Sequence, residues 1–314
     1  MPTGGRGSIH LFRLAGVDLY LHWSWFLVAF YEIQSRDGRY SSIVWSVLEY
    51  LSLFLIVLIH EFGHAMACRS VGGTANQILL WPFGGVAYVN PPQRPGATLW
   101  SIAAGPLVNV ALLPVLYFFV VMSGQWGWAE TMPDLDAFLH AVLFIDKILL
   151  LFNILPVYPL DGGQILRSLL WFFMGRARSL MVATALGLVG IAGLVVLAVW
   201  SRSVWTGAVC AFLLLNCWGG LQRARALLRM EKLPRRAGFA CPGCRMAPLL
   251  GAYWRCDECE QPLDTFETGG VCPHCAHRHA TILCVDCRES HPMSEWVVNA
   301  YAGMGIASGS FTAK

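Results

Sequence analysis

Long apolar segments alternate with short polar segments over the first two thirds of the chain, and this pattern predicts membrane-spanning helices. A helix needs about 20 mostly apolar residues to cross the roughly 30 Å hydrocarbon core of a bilayer. The candidate segments lie at about residues 19–30, 43–67, 99–122, 137–155, 180–200 and 204–218. The fifth is long and free of charge, whereas the first and the sixth are short. We therefore predict an α-helical polytopic membrane protein with about six spans.

Two segments alternate with the period of β-strands rather than that of helices. Residues 8–21 predict a short strand before the first span, and residues 72–88 predict a strand, a Pro-Phe-Gly-Gly turn and a second strand. At membrane depth, such strands must be covered by protein or must line a cavity, because an open edge cannot face lipid. The sequence thus predicts a small membrane-associated β element.

Composition supports a membrane part followed by a soluble part. Hydrophobic residues make up 56% of the chain and charged residues 13%, about half the usual ~25% of soluble proteins. The last 92 residues hold 20 of the 41 charged side chains. We predict a membrane domain over 1–222, a basic helix and linker over 223–239, a cysteine-rich domain over 240–290 and a flexible tail over 291–314. The net charge of +3, without a basic block containing aromatic residues, argues against nucleic-acid binding.

The charges of the loops predict the orientation of the chain in the membrane. If the N-terminus is cytosolic, the only basic residues of the external loops are Arg36, Arg39 and Arg202. This distribution satisfies the positive-inside rule. The loop over 123–136 carries acidic residues but no Lys or Arg, which fits an external position. We predict an integral multi-pass protein with both termini in the cytosol.

The eleven cysteines fall into two groups, of which three are scattered through the apolar part and eight form C-x-x-C pairs. Repeated C-x-x-C pairs at short intervals are typical of zinc ribbons, whose reduced thiolates agree with a cytosolic tail. We predict a double zinc ribbon that binds two structural zinc ions and offers a binding surface to a protein partner. Its ligands would be Cys241, Cys244, Cys256, Cys259, Cys272, Cys275, Cys284 and Cys287. Pairing in sequential order is the simplest arrangement, and the spacing leaves a crossed arrangement open.

An H-E-x-x-H sequence, His60-Glu61-Phe62-Gly63-His64, lies near the cytosolic end of the second predicted span. Helical spacing places both imidazoles on one face, where they can share a metal ion, with Glu61 beside them to take a proton from water. The alternative explanation is that these residues occur together by chance. It has little weight here, because ionisable side chains on an apolar helix carry a desolvation cost that needs compensation. We predict that His60 and His64 bind a catalytic zinc ion.

A catalytic zinc site usually has three protein ligands and one open position. The fourth predicted span ends in N-I-L-P-V-Y-P-L-D-G-G at 153–163, and Asp161 offers an oxygen ligand at the same cytosolic membrane face as His60. The alternative is that Asp161 caps a helix that begins at about Gln164. Asn153 is a candidate donor to the oxyanion of the reaction, or else forms a hydrogen bond at the helix end; the sequence favours neither.

Together the two motifs resemble the site-2 protease family of intramembrane zinc metalloproteases, and the resemblance covers about residues 8–220. It implies one catalytic zinc ion bound by His60, His64 and Asp161, with Glu61 as general base. It also implies hydrolysis of peptide bonds in membrane-spanning protein substrates. Segments at 21–25, 83–86 and 104–109 also look like segments of that family.

A substrate helix must unwind before its peptide carbonyls are accessible, and the strand pair over 72–88 offers an edge for the unwound chain. There we expect the substrate to contact Phe83, Gly84, Gly85 and Val86. The alternative function is a catalytically silent membrane scaffold that binds proteins through its zinc ribbons. The intact Glu61 argues against that alternative.

Three further polar residues lie within predicted spans. We interpret Asn109, together with Gly105, as a residue that packs helices closely rather than one that touches the substrate. Asp146 and Lys147 are adjacent, so on a helix their side chains point in different directions. We favour the interpretation that these two side chains pair with groups on a neighbouring helix, rather than that they have an accessory role in the function of the protein.

Overall fold

Two units make up the chain, Met1–Leu228 and Arg229–Lys314. The computed structural model describes residues 7–27, 29, 38–81, 84–202 and 204–298. The predicted substrate contact of Phe83 lies outside the described residues, and so does the predicted flexible tail beyond residue 298.

Helices account for most of the first unit. They are α1 (Ile43–Ser70), α2 (Pro95–Gln125), α3 (Trp128–Thr131), α4 (Pro133–Ile154), α5 (Asp161–Met174), α6 (Arg176–Ser201) and α7 (Val204–Glu231). Among the described residues, four helices are long and apolar enough to cross a membrane, namely α1, α2, α4 and α6. They correspond to the second, third, fourth and fifth predicted spans. The sixth predicted segment lies within α7, which is not one of the four.

The first predicted span was wrong at its beginning. Residues 17–22 form a strand, and helical residues follow only from position 25. The reason is the period of two in this segment, since Val17 and Leu19 are completely buried while Asp18 and Tyr20 between them are partly exposed. Position 28 and positions 30–37 of this region lie outside the described residues.

Both segments predicted to contain strands do contain them, and they form one sheet. Residues 8–21, predicted as a single strand, belong to two antiparallel strands. The strands of the sheet are β1 (Ser8–Leu14), β2 (Val17–His22), β3 (Thr74–Trp81) and β4 (Gly84–Asn90), in the order β1-β2-β3-β4. The pairs β1–β2 and β3–β4 are antiparallel, whereas β2 and β3 are parallel, with Asp18 opposite Gln77. The strand β4 is therefore an edge of the sheet.

The sheet packs one face against the C-terminal half of α1. Leu19 of β2 and Ile78 of β3 are completely buried, and they cluster with Ala65 and Cys68 of α1. Burying an aliphatic side chain of this size contributes about 1.5–3 kcal/mol. This packing fixes the edge strand β4 beside the H-E-x-x-H motif.

The second unit contains little regular structure. Its strands are β5 (Trp254–Arg255), β6 (Pro262–Leu263), β7 (Ile282–Leu283) and β8 (Ser290–His291), followed by the short helix α8 (Met293–Trp296). Its core combines cysteines with Trp254, Phe266 and Trp296. The two ends of the unit lie side by side, because the Ala240 N–H donates to the Trp296 carbonyl at 2.8 Å.

Candidate active site and zinc clusters

Three side chains from two distant parts of the chain converge on one point. The Nε2 atoms of His60 and His64, one helical turn apart on α1, are 3.1 Å from each other. The Asp161 Oδ2 atom lies 3.0 Å from the first and 3.3 Å from the second. Ligands about 2.0–2.2 Å from a tetrahedral zinc ion are roughly 3.3 Å from one another. The three donors therefore fit a zinc ion.

Asp161 is the first residue of α5, which begins three residues earlier than predicted. No side chain caps this helix, and the Asp161 carboxylate faces the imidazoles instead. A Cβ at Gly163 would lie 2.4 Å from the Tyr158 nitrogen, and one at Gly162 would collide with the Ile154 carbonyl. The two glycines thus permit the tight path that brings Asp161 to the histidines.

The second nitrogen of each imidazole has its own partner on α2. His64 Nδ1 lies 2.8 Å from the Ser101 carbonyl oxygen, and His60 Nδ1 lies 2.5 Å from Asn109 Oδ1. A carbonyl oxygen can only accept, so Nδ1 carries the proton and Nε2 keeps its lone pair. This is the tautomer that metal binding requires. We interpreted Asn109 from the sequence as a packing residue, and its contact with His60 was not predicted.

Glu61 is buried and bonded to the edge strand. The Ala87 N–H of β4 donates to Glu61 Oε2 at 2.9 Å. A Cβ at Gly85 would lie 2.5 Å from the Glu61 carboxyl carbon, so the glycine allows the strand to pass this closely. No residue pattern signals the Ala87 contact, because the contact depends on the position of a backbone amide.

A cavity of about 490 Å³ contains the three donors and Glu61. Gly85 and Val86 of β4 line it, as does Asn153 in the last turn of α4. Within the described part of the chain, the Asn153 side chain forms no hydrogen bond, so the predicted bond at the helix end is not observed there. Asn216 and Arg223 of α7 also line the cavity, and the sequence analysis did not identify them.

The predicted substrate residues Gly84, Gly85 and Val86 all lie on the edge strand β4. Alternate residues of an edge strand direct their backbone N–H and C=O groups away from the sheet. Because the Ala87 N–H points outward to Glu61, the backbone of Gly85, two residues earlier, points the same way. The edge therefore borders the candidate metal site.

The eight tail cysteines form two clusters in a nested arrangement, which is neither the sequential nor the crossed arrangement. The first and last pairs meet, with Cys241 Sγ 3.6 Å from Cys287 Sγ, and the inner pairs meet, with Cys256 Sγ 3.5 Å from Cys275 Sγ. The simplest prediction, pairing in sequential order, was wrong. The complete sets are Cys241, Cys244, Cys284 and Cys287, and Cys256, Cys259, Cys272 and Cys275. Thiolates about 2.3 Å from a tetrahedral zinc ion are roughly 3.8 Å apart, so both clusters fit zinc.

All four C-x-x-C segments share one backbone conformation. In each, the residue after the second cysteine has a positive φ angle of 57° to 62° and donates its N–H to the carbonyl of the first cysteine. These four residues are Arg245, Glu260, Ala276 and Arg288. Such a turn directs both thiolates of a pair to the same side, as a shared zinc ion requires.

Four apolar helices, two buried histidines and the partly buried Asp161, beside a glutamate, define a membrane-embedded metalloprotein with the ligands of a zinc hydrolase. Residues 49–133 and 125–197 match the sequence model of peptidase family M50. The chain belongs to peptidase family M50 and is an integral membrane protein.

Individual relatives agree with this assignment. Zinc metalloprotease MJ0392 of Methanocaldococcus jannaschii is 33% identical over 184 residues, 57% of this chain and 50% of that protein. YwhC of Bacillus subtilis is 31% identical over 155 residues, 40% of this chain and 70% of that protein. The solved structure of the site-2 protease from Methanocaldococcus jannaschii is similar, with a TM-score of 0.50 and 27% identity. That similarity covers 68% of this chain and 95% of the other. The chain spans about half the length of MJ0392.

Proposed function

We propose that this protein is an intramembrane zinc endopeptidase that hydrolyses peptide bonds of membrane-spanning proteins. One observation carries the proposal: the donor atoms of His60, His64 and Asp161 lie 3.0–3.3 Å apart, next to Glu61, in a cavity bordered by a free strand edge. Family membership and the names of the relatives support the same activity.

His60, His64 and Asp161 would hold the zinc ion. Zinc bound there supplies Lewis-acid chemistry, polarising a peptide carbonyl and acidifying a water molecule. Glu61 accepts the proton of the attacking water and returns it to the leaving amine. The Ala87 N–H keeps the Glu61 carboxylate in one orientation, and the burial of Glu61 keeps bulk water away from the proton transfer.

Asn153 is proposed as the donor that stabilises the developing oxyanion. Its side chain lines the cavity and has no hydrogen-bond partner in the described residues, so its amide N–H groups are available to a substrate. Removing one such donor commonly lowers kcat by about 100-fold to 1,000-fold.

The substrate would bind as an extended strand along β4. An added strand pairs through main-chain hydrogen bonds, which explains how a locally unwound transmembrane segment can be held without a defined sequence. Gly84, Gly85 and Val86 provide the edge, and the small size of Gly85 leaves its backbone open toward the cavity.

The topology and the tail complete the proposal. We place six spans in the bilayer, with both termini in the cytosol, and we divide the chain at about residues 222 and 239 as the sequence predicts. The ribbon unit extends past the predicted boundary at 290 to Trp296, because that side chain is buried in its core. The two cysteine clusters would bind one structural zinc ion each, giving three zinc ions per chain with the catalytic ion. The ribbon unit would recruit a protein partner or substrate.

The test compares Glu61→Gln with Glu130→Gln, which alters an exposed glutamate of α3. Membrane proteins that accumulate uncleaved in cells carrying Glu61→Gln are identified by mass spectrometry and offered to the purified full chain. We expect Glu61→Gln to keep its zinc content and to lose about 100-fold or more of the cleavage rate, while Glu130→Gln matches the unmodified chain. Equal cleavage by all three proteins would exclude the enzymatic function and favour a scaffold.

A further inference from the structure

A buried aspartate lies behind the candidate metal site. Asp146 of α4 and Asn109 of α2 both have 0% exposure, and Asn109 Nδ2 donates to Asp146 Oδ1 at 2.6 Å. Asn109 in turn accepts the His60 Nδ1 proton at 2.5 Å. The predicted interhelical pairing of Asp146 is thus present, and its partner is a residue that touches a proposed metal ligand. The neighbouring Lys147 is exposed.

The direction of this chain of hydrogen bonds depends on Asp146. An amide side chain offers an acceptor on one side and a donor on the other, so Asn109 can satisfy His60 in either of two orientations. A carboxylate only accepts, so Asp146 attracts the Asn109 amide nitrogen and leaves its oxygen facing His60. In the opposite orientation, Asn109 would donate to His60 Nδ1 and would move the proton to Nε2, where it blocks metal binding.

Packing alone does not account for a carboxylate at this position. Asp146 Oδ2 is buried and has no hydrogen-bond partner within the described residues. A buried polar atom without a partner lowers stability, and an apolar side chain of similar size would avoid that penalty. Ionisable groups inside a membrane domain are by default functional.

We infer that Asp146 is a positioning residue, which acts through Asn109 to hold His60 in the tautomer that binds zinc. The inference rests on the proposed function, because it assumes that His60 is a metal ligand. Asp146 itself touches neither the substrate nor the metal. Its contribution is to make one orientation of the Asn109 amide far more stable than the other.

Asp146→Asn tests this inference with little change in volume. With the observed orientation of Asn109, the new amide would place its NH2 group at the Oδ2 position, where no acceptor is present. Reversing both amides places an oxygen there instead and directs the Asn109 NH2 group toward His60. We therefore expect Asp146→Asn to bind zinc about tenfold more weakly at the membrane site. A tenfold loss is the lower end of the range commonly caused by removing a residue that orients a metal ligand.

The double variant Asn109→Asp with Asp146→Asn separates positioning from a purely structural role. Asp at 109 accepts from both His60 Nδ1 and the NH2 group at 146, so both contacts of residue 109 are satisfied again and the tautomer is restored. The oxygen at 146 takes the Oδ2 position, which has no partner within the described residues of the unmodified chain either. We expect zinc affinity within about twofold of the unmodified chain, or tighter. If Asp146 only packs helices, the second substitution at a buried position does not restore zinc affinity, and the double variant binds zinc no better than Asp146→Asn.

The measurement is chelator competition on the full chain in detergent, following the zinc equivalent that is missing from His64→Ala. Circular dichroism verifies that each variant retains its helices. The inference is overturned if Asp146→Asn keeps the affinity of the unmodified chain, or if the double variant binds no better than Asp146→Asn. If the unmodified chain and His64→Ala hold equal zinc, the proposed function itself fails, which is a distinguishable result.

Discussion

Gly105 of α2 lies directly against both proposed histidine ligands. A Cβ at this position would come within 2.7 Å of His60 Nε2 and closer still to the ring of His64. Favourable contacts between such atoms begin at about 3.5 Å. Replacing Gly105 with alanine therefore requires α1 and α2 to separate locally by about 1 Å, or requires the imidazoles to rotate away.

Either response would move the donor atoms further than the variation in distance that a zinc site accepts. The donor atoms of His60, His64 and Asp161 are 3.0–3.3 Å apart, and zinc–ligand distances vary by only about 0.2 Å. Overpacking of this kind costs about 1–3 kcal/mol, which a membrane domain of this size withstands without unfolding. We expect Gly105→Ala to remain helical while it loses its membrane-site zinc and its peptidase activity.

The assay measures zinc per chain in purified full-length protein, together with helical content and cleavage. Gly124→Ala is the matched control, because Gly124 lies on the same helix and no atom lies within 4 Å of a Cβ there. The control should keep its zinc and its activity. If Gly105→Ala retains as much zinc as Gly124→Ala, the close approach of α2 does not hold the imidazoles in place and the reasoning is wrong.

Two further predictions concern the tail. Cys244→Ser should leave Cys241, Cys284 and Cys287 open to alkylation while Cys256 and Cys259 stay protected; mass spectrometry would instead find those two modified if the pairing were sequential. Asp264→Asn should lower the stability of the second unit by about 1–3 kcal/mol, read from urea unfolding with zinc in excess. Burial raises the pKa of Asp264, but hydrogen bonds from the Gly251 N–H and Arg236 outweigh it and hold the pKa below its usual value. The stabilisation is therefore present above about pH 4, and the difference between the two proteins should shrink below that value; a constant difference would contradict this assignment.

Features encoded by local pattern were predictable from the sequence. The four longest apolar segments became α1, α2, α4 and α6, and the periodic segments became strands. The approach of Asp161 to His60 also followed from the sequence, because two spans that run in the same direction bring their C-terminal ends to one membrane face. The beginning of the first span was predicted wrongly because a short run of apolar residues such as Leu19 and Leu21 fits a buried strand as well as a helix.

Features that depend on the detailed register of one element against another were not predictable. The contact between Ala87 and Glu61 requires the register of β4 against α1, and no side chain of Ala87 signals it. Asn109 was visible four residues after Gly105, but its role depends on which of its faces meets α1 and which meets α4. Both contacts support proposed catalytic groups, so the part that sequence reasoning misses is the layer around the metal ligands.

The nested cysteine pairing shows why spacing alone does not predict the zinc clusters of the tail. The four C-x-x-C turns have the same backbone conformation, so each can share a zinc ion with any other. Closing the outer cluster spans 46 residues, against 18 (259 − 241) for sequential pairing. The increase is less than two doublings of loop length, so its entropic cost is below about 1.2 kcal/mol. Burying one large aromatic side chain contributes more than that, and Trp296 is 1% exposed in the core that joins the two ends of the unit. The aromatic core therefore selects the pairing, and the zinc ions stabilise whichever turns that core brings together.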